Sequence, residues 1–84
     1  MDEKFATVLR LHLPFLPADR QLSDSDALSD LGLNSMQAIE VLFAIEDAYG
    51  AVIADDRLND ETFATAGSLW QAVEDAIQQQ ETGR

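Results

Sequence analysis

Between Asn34 and Gly50 lie fifteen residues, Ser35 to Tyr49, free of proline and glycine. They are opened by a capping side chain and closed by the residue that most readily takes a left-handed turn. No other feature constrains the chain as tightly. A segment bounded in this way is a helix, and a helix with an apolar stripe must cover that stripe with other elements. Gln37, three residues after Asn34, sits where its amide can reach back in a capping-box-like arrangement. Helical spacing puts Ala38, Ile39, Leu42, Ile45 and Tyr49 on the inward face, and Met36, Glu40, Phe43 and Asp47 on a separate stripe.

The covering elements are also helical. Phe5, Val8, Leu9 and His12 recur at helical spacing, so the pattern predicts a first helix from Asp2, as cap, to Leu13, ended by Pro14. A last helix, capped by Thr65 or Ser68, carries Leu69, Trp70, Val73, Ala76 and Ile77 and gives way to a polar tail over 78–84, expected to fray. Between Pro14 and Asn34 the chain is polar and irregular, with Leu22, Leu28, Leu31 and Leu33 as apolar pegs that imply a connection packed onto the core. Ala51-Val52-Ile53 is too short for a strand, and Asp55 to Glu61 reads as a loop with one helical turn. The expected architecture is an all-α four-helix bundle with a long first loop and a short third helix, forming one domain over 1–84.

Composition narrows the function. Lys and Arg number 5 against 16 Asp and Glu, a formal charge of −11, which argues against nucleic acid and favours basic partners. With no cysteine there is no disulfide framework or thiolate metal site, so the core must hold by packing, as suits a reducing compartment. The amino terminus lacks the plan of a signal peptide, and no segment has the ~20 apolar residues needed to span a bilayer. A cytoplasmic protein without membrane attachment is expected.

Catalytic and metal readings fail residue by residue. Gly32-Leu33-Asn34-Ser35-Met36-Gln37 lacks the flanking glycines of a nucleophile elbow, and the one histidine, His12, falls within the first helical pattern as a surface or core-edge residue. Asp24-Ser25-Asp26 begins like a calcium loop but continues with Leu28 and Ser29 where a ligand and the turn glycine belong. Asp55-Asp56 and Asn59-Asp60-Glu61 read as solvated loop charges. What remains is Ser35, at a helix start whose N–H groups and dipole favour a covalently attached phosphate. Its bland alternative is an ordinary helix-start serine.

Asp30-Leu31-Gly32-Leu33-Asn34-Ser35-Met36, followed by Ile39-Glu40-Val41-Leu42 and Ile45-Glu46-Asp47, closely resembles the phosphopantetheine attachment region of acyl carrier proteins. The resemblance continues through Tyr49-Gly50, Ile53 and Thr62-Phe63-Ala64-Thr65 to Ser68-Leu69-Trp70. In that family the motif is typically D-S-L. Here Asn34 stands in place of the usual aspartate, keeping the capping oxygen and losing a charge.

The resemblance implies that Ser35 carries 4′-phosphopantetheine donated by coenzyme A, that cargo is held on the arm's thiol as a thioester, and that the chain itself catalyses nothing. It implies a partner face of Asn34, Met36, Glu40, Phe43, Ala44 and Asp47. Expected partners are a phosphopantetheinyl transferase, an acyl- or aminoacyl-loading enzyme (an adenylating ligase or acyltransferase) and a downstream acyltransferase or synthase. The likeness is greater to free-standing, monomeric carriers of polyketide or nonribosomal-type pathways than to the more acidic fatty-acid carriers. The competing expectation is an unmodified acidic helical adaptor whose Met36 and Phe43 bind a basic amphipathic partner.

Overall fold

The computed structural model describes residues 2–82. It contains three α-helices, α1 (Glu3–Arg10), α2 (Ser35–Tyr49) and α3 (Ala66–Thr82), and one 3₁₀ turn (Asp55–Arg57), with no strand among the described residues. The all-helical expectation stands. The expected short third helix is reduced to the 3₁₀ turn, because Asn59 offers the backbone an alternative. Its side chain donates to the Asp56 carbonyl at 3.2 Å and accepts the Thr62 N–H at 2.9 Å, local bonds of the kind that compete with helix.

The bracket around α2 is realised at both ends. Asn34 is extended, and its Oδ1 accepts the Gln37 N–H at 2.9 Å. Gly50 closes the helix at φ 64°, its N–H bonded to the Glu46 carbonyl. The inward face is rotated from the expected one. Val41 and Ile45 are buried, Ala38, Leu42 and Tyr49 pack beside them, and Ile39 turns out to solvent at 54% exposure. With Val41 at the centre of the buried stripe, Ile39 lies about 160° around the helix, since each residue advances by about 100°.

α1 ends three residues earlier than expected. The N–H groups of Leu11, His12 and Leu13 bond to the carbonyls three residues back, tightening the chain ahead of Pro14, whose ring disfavours helical geometry at Leu13. Asp2 occupies the N-cap position without capping. Its carboxylate instead accepts the Tyr49 hydroxyl at 2.7 Å, while Lys4 Nζ donates to the Ala48 carbonyl and lies 4.7 Å from the Tyr49 ring centre. These contacts tie the start of α1 to the end of α2. Phe5 and Tyr49 both meet Trp70 of α3, with ring centres 5.1 and 6.2 Å apart, so the aromatics join the three helices.

α3 opens with a reciprocal cap that uses both expected residues. The Ser68 N–H donates to Thr65 Oγ1 and the Thr65 N–H to Ser68 Oγ, each at 3.1 Å. Leu69, Ala72, Val73 and Ala76 form its buried stripe. The helix runs on through Thr82 into the segment expected as polar tail; residues 83–84 of that tail lie outside the described residues.

The long connection packs down as its leucines imply. Leu28, Leu31 and Leu33 are buried, joined by Leu13 and Leu16, and each such side chain contributes about 1.5–3 kcal/mol on burial. Arg10 holds the first part by donating to the carbonyls of Pro17, Ala18 and Arg20 at 2.7–3.0 Å. The second part is pinned to the start of α3: Leu28 N–H to Ala64 O, Ala66 N–H to Asp26 O and Gly67 N–H to Asp24 O. Gly32, at φ 100°, then passes so close to Pro14 that a Cβ would lie 2.7 Å from its Cγ. The fold thus delivers the chain to Asn34 and Ser35 along a tightly constrained path.

Candidate functional site

Ser35 is the first residue of α2 and is exposed. The N–H groups of a helix's first turn have no partner within the helix, and here the Asn34 side chain satisfies only that of Gln37. The hydroxyl of Ser35 therefore stands over a short array of backbone donors at the positive end of the helix dipole, a setting that suits a phosphodiester. No acidic residue falls in the first turn of α2. In a chain of charge −11, the first turn of α2 thus adds no like charge of its own beside a phosphate at Ser35.

Two surfaces flank this serine. The first is an exposed ridge along α2 made by Met36 (75% exposed), Ile39 (54%) and Phe43 (63%). Glu40 and Asp47 are exposed along the same side, and Ala44 is half-buried at its margin. The structure thus brings Met36, Glu40, Phe43 and Asp47 onto the outer side of the helix, as their spacing predicts, and adds Ile39, which sequence phase alone had assigned to the core. The signal was present: positions 36, 39 and 43 share a helical face once Val41 is taken as the centre of the buried stripe. Three large apolar side chains are thus exposed along one face of the helix.

The second surface is a groove of about 840 Å³ between α2 and the segment 58–65, with Ser35 in its lining. Its walls are apolar, from Leu33, Ala38, Ile39 and Leu42 on one side to Leu58 and Phe63 on the other. Sequence reading found no groove, because its second wall is a loop without periodicity.

His12 lies in the turn after α1, its Nε2 3.9 Å from Glu40 Oε1 and its Nδ1 3.2 Å from the Val8 carbonyl oxygen. It occupies the core edge, well removed in role from a base for Ser35. Among the described residues no group of three potential metal ligands is assembled. Two carboxylates away from the site, Asp26 and Asp75, are held by their neighbours. The Ser23 N–H, with Arg20 beside it, holds Asp26 below its ordinary value, and the Arg57 guanidinium does the same for Asp75 at 2.6 Å.

A three-helix fold with an exposed serine opening its central helix defines a class, and comparison with known proteins places the chain in it. The model of the phosphopantetheine attachment site family matches residues 3–73, and the chain belongs to that family, whose domain is the site of covalent 4′-phosphopantetheine attachment. Solved structures agree on the fold. A glycylated carrier protein in complex with the Bradyrhizobium japonicum glycine:[carrier protein] ligase superposes with a TM-score of 0.63 at 18% identity, covering 83% of this chain and 99% of that one. The cognate carrier bound to the same ligase with an analogue of glycyl adenylate gives 0.66 at 18% identity, over 87% and 99%. A carrier protein from Agrobacterium tumefaciens, complexed with an engineered form of that ligase and AMP, gives 0.57 at 25% identity, over 88% and 97%. Comparison with curated proteins returned no match. Among the described residues no helix is long and apolar enough to cross a membrane.

Proposed function

We propose that this chain is a carrier protein modified at Ser35, loaded with an amino acid by an adenylating ligase, and serving a specialised pathway of polyketide or nonribosomal type. One observation carries the reading: within the family match, Ser35 is the exposed residue at the capped start of α2, with no acidic residue in the first turn and open backbone donors. When attached, phosphopantetheine supplies a thiol on a long flexible arm, where cargo is held as a thioester. Ser35 provides the ester oxygen, Asn34 holds the helix start, and the first-turn N–H groups face the phosphate. The chemistry of loading and transfer belongs to the partners.

The choice of an aminoacyl cargo is supported by the structural neighbours, carriers in complex with a glycine:[carrier protein] ligase. The partner face is the ridge of Met36, Ile39 and Phe43, bordered by Asn34, Glu40, Ala44 and Asp47. Its acidic flanks steer a basic partner surface, and its apolar ridge supplies the desolvated contact.

The test is incubation with coenzyme A and a promiscuous phosphopantetheinyl transferase. The intact mass should rise by one phosphopantetheine, peptide mapping should place it on Ser35, and Ser35→Ala should block it with helicity unchanged. An unaltered mass with several active transferases would return the chain to the unmodified acidic adaptor.

A further inference from the structure

Leu11 and Phe15, in the connection after α1, are 79% and 69% exposed, as open to water as the ridge of α2. Their backbone is nonetheless fixed. The Leu11 N–H bonds to the Val8 carbonyl and the Phe15 N–H to the Leu31 carbonyl at 3.0 Å, while Leu13 and Leu16 on either side of Phe15 are buried. An edge of the Phe15 ring lies 3.3 Å from the place a Cβ would take on Gly32. Gly32 precedes Ser35 by three residues, a chain reach of at most about 11 Å. An aromatic ring is thus held in water beside the approach to Ser35.

Charge marks the same place. The chain carries 16 Asp and Glu, yet none falls between Lys4 and Ala18 or between Leu31 and Ile39, the two stretches joined by the Phe15–Leu31 bond. Arg10, in the first stretch, spends its guanidinium on three backbone carbonyls. Asp19, Asp30 and Glu40 stand just beyond the ends of the two stretches, and His12, 3.9 Å from Glu40, brings the turn after α1 against α2 one helical turn from Met36. A strongly acidic chain therefore presents apolar, uncharged surface where these segments meet at the head of α2.

We propose that Leu11 and Phe15 form a docking surface for the phosphopantetheinyl transferase, received by an apolar, uncharged recess of that enzyme. The inference rests on the carrier reading above and deepens it by stating how the modifying enzyme closes on Ser35. In the transfer, Ser35 Oγ bonds to phosphorus as the pyrophosphate bond of coenzyme A breaks. The hydroxyl proton passes to a base of the enzyme, and the adenosine half leaves as its bisphosphate with the bridging oxygen. That reaction takes place at the surface of this chain, so the enzyme must press against what surrounds Ser35. Enzymes that load or unload cargo work at the thiol, at the far end of the arm, and have no such need to cover the connection after α1. A second copy fits less well, because it would set two chains of charge −11 face to face. The fixed backbone limits the ordering that docking costs, and without charge the contact acts on the lifetime of the complex rather than on encounter.

The experiment measures steady-state transfer from coenzyme A to the unmodified chain by a promiscuous transferase, across a salt series. Phe15→Ser should raise KM for the carrier about tenfold with kcat unchanged, a loss in the range of an interface anchor, and by the same factor at every salt concentration. Leu11→Ser should give a smaller rise, and Phe15→Leu should restore most of the parent value. Val52→Ser, equally exposed but beyond the other end of α2, should leave KM unaltered. Helicity and melting should match the parent in all four variants; were Phe15→Ser to lose helicity, Leu11→Ser decides alone.

An unchanged KM in Phe15→Ser and Leu11→Ser, a rise that vanishes in high salt, or an equal rise in Val52→Ser would overturn the inference and leave the carrier reading in place. Self-association of the parent chain that Phe15→Ser abolishes would assign the surface to a second copy and overturn it as well. A parent chain that takes up no phosphopantetheine overturns the carrier reading, and this inference with it.

Discussion

Replacing Gly32 with alanine should unsettle the approach to the candidate site more than any other single-methyl change. At φ 100° the new side chain lies in backbone space that L residues rarely occupy, which costs about 1–3 kcal/mol. Its Cβ would also fall 2.7 Å from Pro14 Cγ and 2.9 Å from Pro14 Cδ. The pyrrolidine ring cannot rotate aside, and the Phe15 N–H to Leu31 carbonyl bond at 3.0 Å holds the two segments together. Relief therefore means moving backbone, an overpacking cost of about 1–3 kcal/mol. The sum is about 2–6 kcal/mol, against a total stability of about 4–13 kcal/mol for 84 residues at the usual value per residue.

Gly50 supplies the control. It too has positive φ, at 64°, but nothing lies within 4 Å of its added Cβ, so Gly50→Ala should cost only the backbone term, about 1–2 kcal/mol. Urea and thermal melts of both variants decide the matter. For Gly32→Ala a loss of about 3 kcal/mol would lower Tm by about 12–24 °C in a domain of this size. Gly32→Ala within about 0.5 kcal/mol of the parent, the usual range of a featureless surface change, would refute the argument from Pro14, as would a larger loss at Gly50.

Other perturbations bear on the helix start, the pinned connection and the partner ridge. Asn34→Ala should cost about 1 kcal/mol by removing the bond to the Gln37 N–H, whereas Asn34→Asp, which keeps an accepting oxygen, should be close to neutral in thermal melts. Asp26 has its folded pKa depressed below 3.8 by the Ser23 N–H and Arg20, so its contribution is present above that pH and is lost as pH falls through the folded value; Asp26→Asn should flatten this part of the acid-unfolding profile. In stopped-flow binding to a loading enzyme, Phe43→Ala should speed dissociation by removing about 2 kcal/mol or more of apolar contact, with the isolated fold unchanged because Phe43 is 63% exposed. Glu40→Lys should instead slow association and weaken its dependence on salt.

The elements that were legible in the sequence are those whose determinants lie within a few residues. Asn34 and Gly50 specify the two ends of α2 by a side-chain bond to the Gln37 N–H and a left-handed turn that no distant residue is needed to complete. Thr65 and Ser68 both qualify as caps by their position, and the structure uses both, because the bonds are reciprocal. The exposed Ser35 follows from the same local logic: the first residue after a cap is set at the helix mouth by the backbone alone.

Burial and shape are different, since they depend on what is brought against each face. Ile39 is as apolar as Ile45, and helical spacing allowed it a place in the core. It is exposed because α1, the connection and α3 cover the side of α2 centred on Val41, which no local pattern marks as the middle. The early end of α1 and the loss of the short third helix were settled by competing backbone and Asn59 bonds. The groove beside Ser35 exists only because Ala64, Asp24 and Asp26 exchange backbone bonds with residues far along the chain, setting 58–65 opposite α2. The sequence alone therefore determined α2 with both its ends, the reciprocal cap of α3 and the serine at the head of α2, through interactions spanning a turn or less. Which apolar residues face water, and what space Ser35 opens onto, was decided by tertiary packing, because burial belongs to a pair of surfaces and not to a residue.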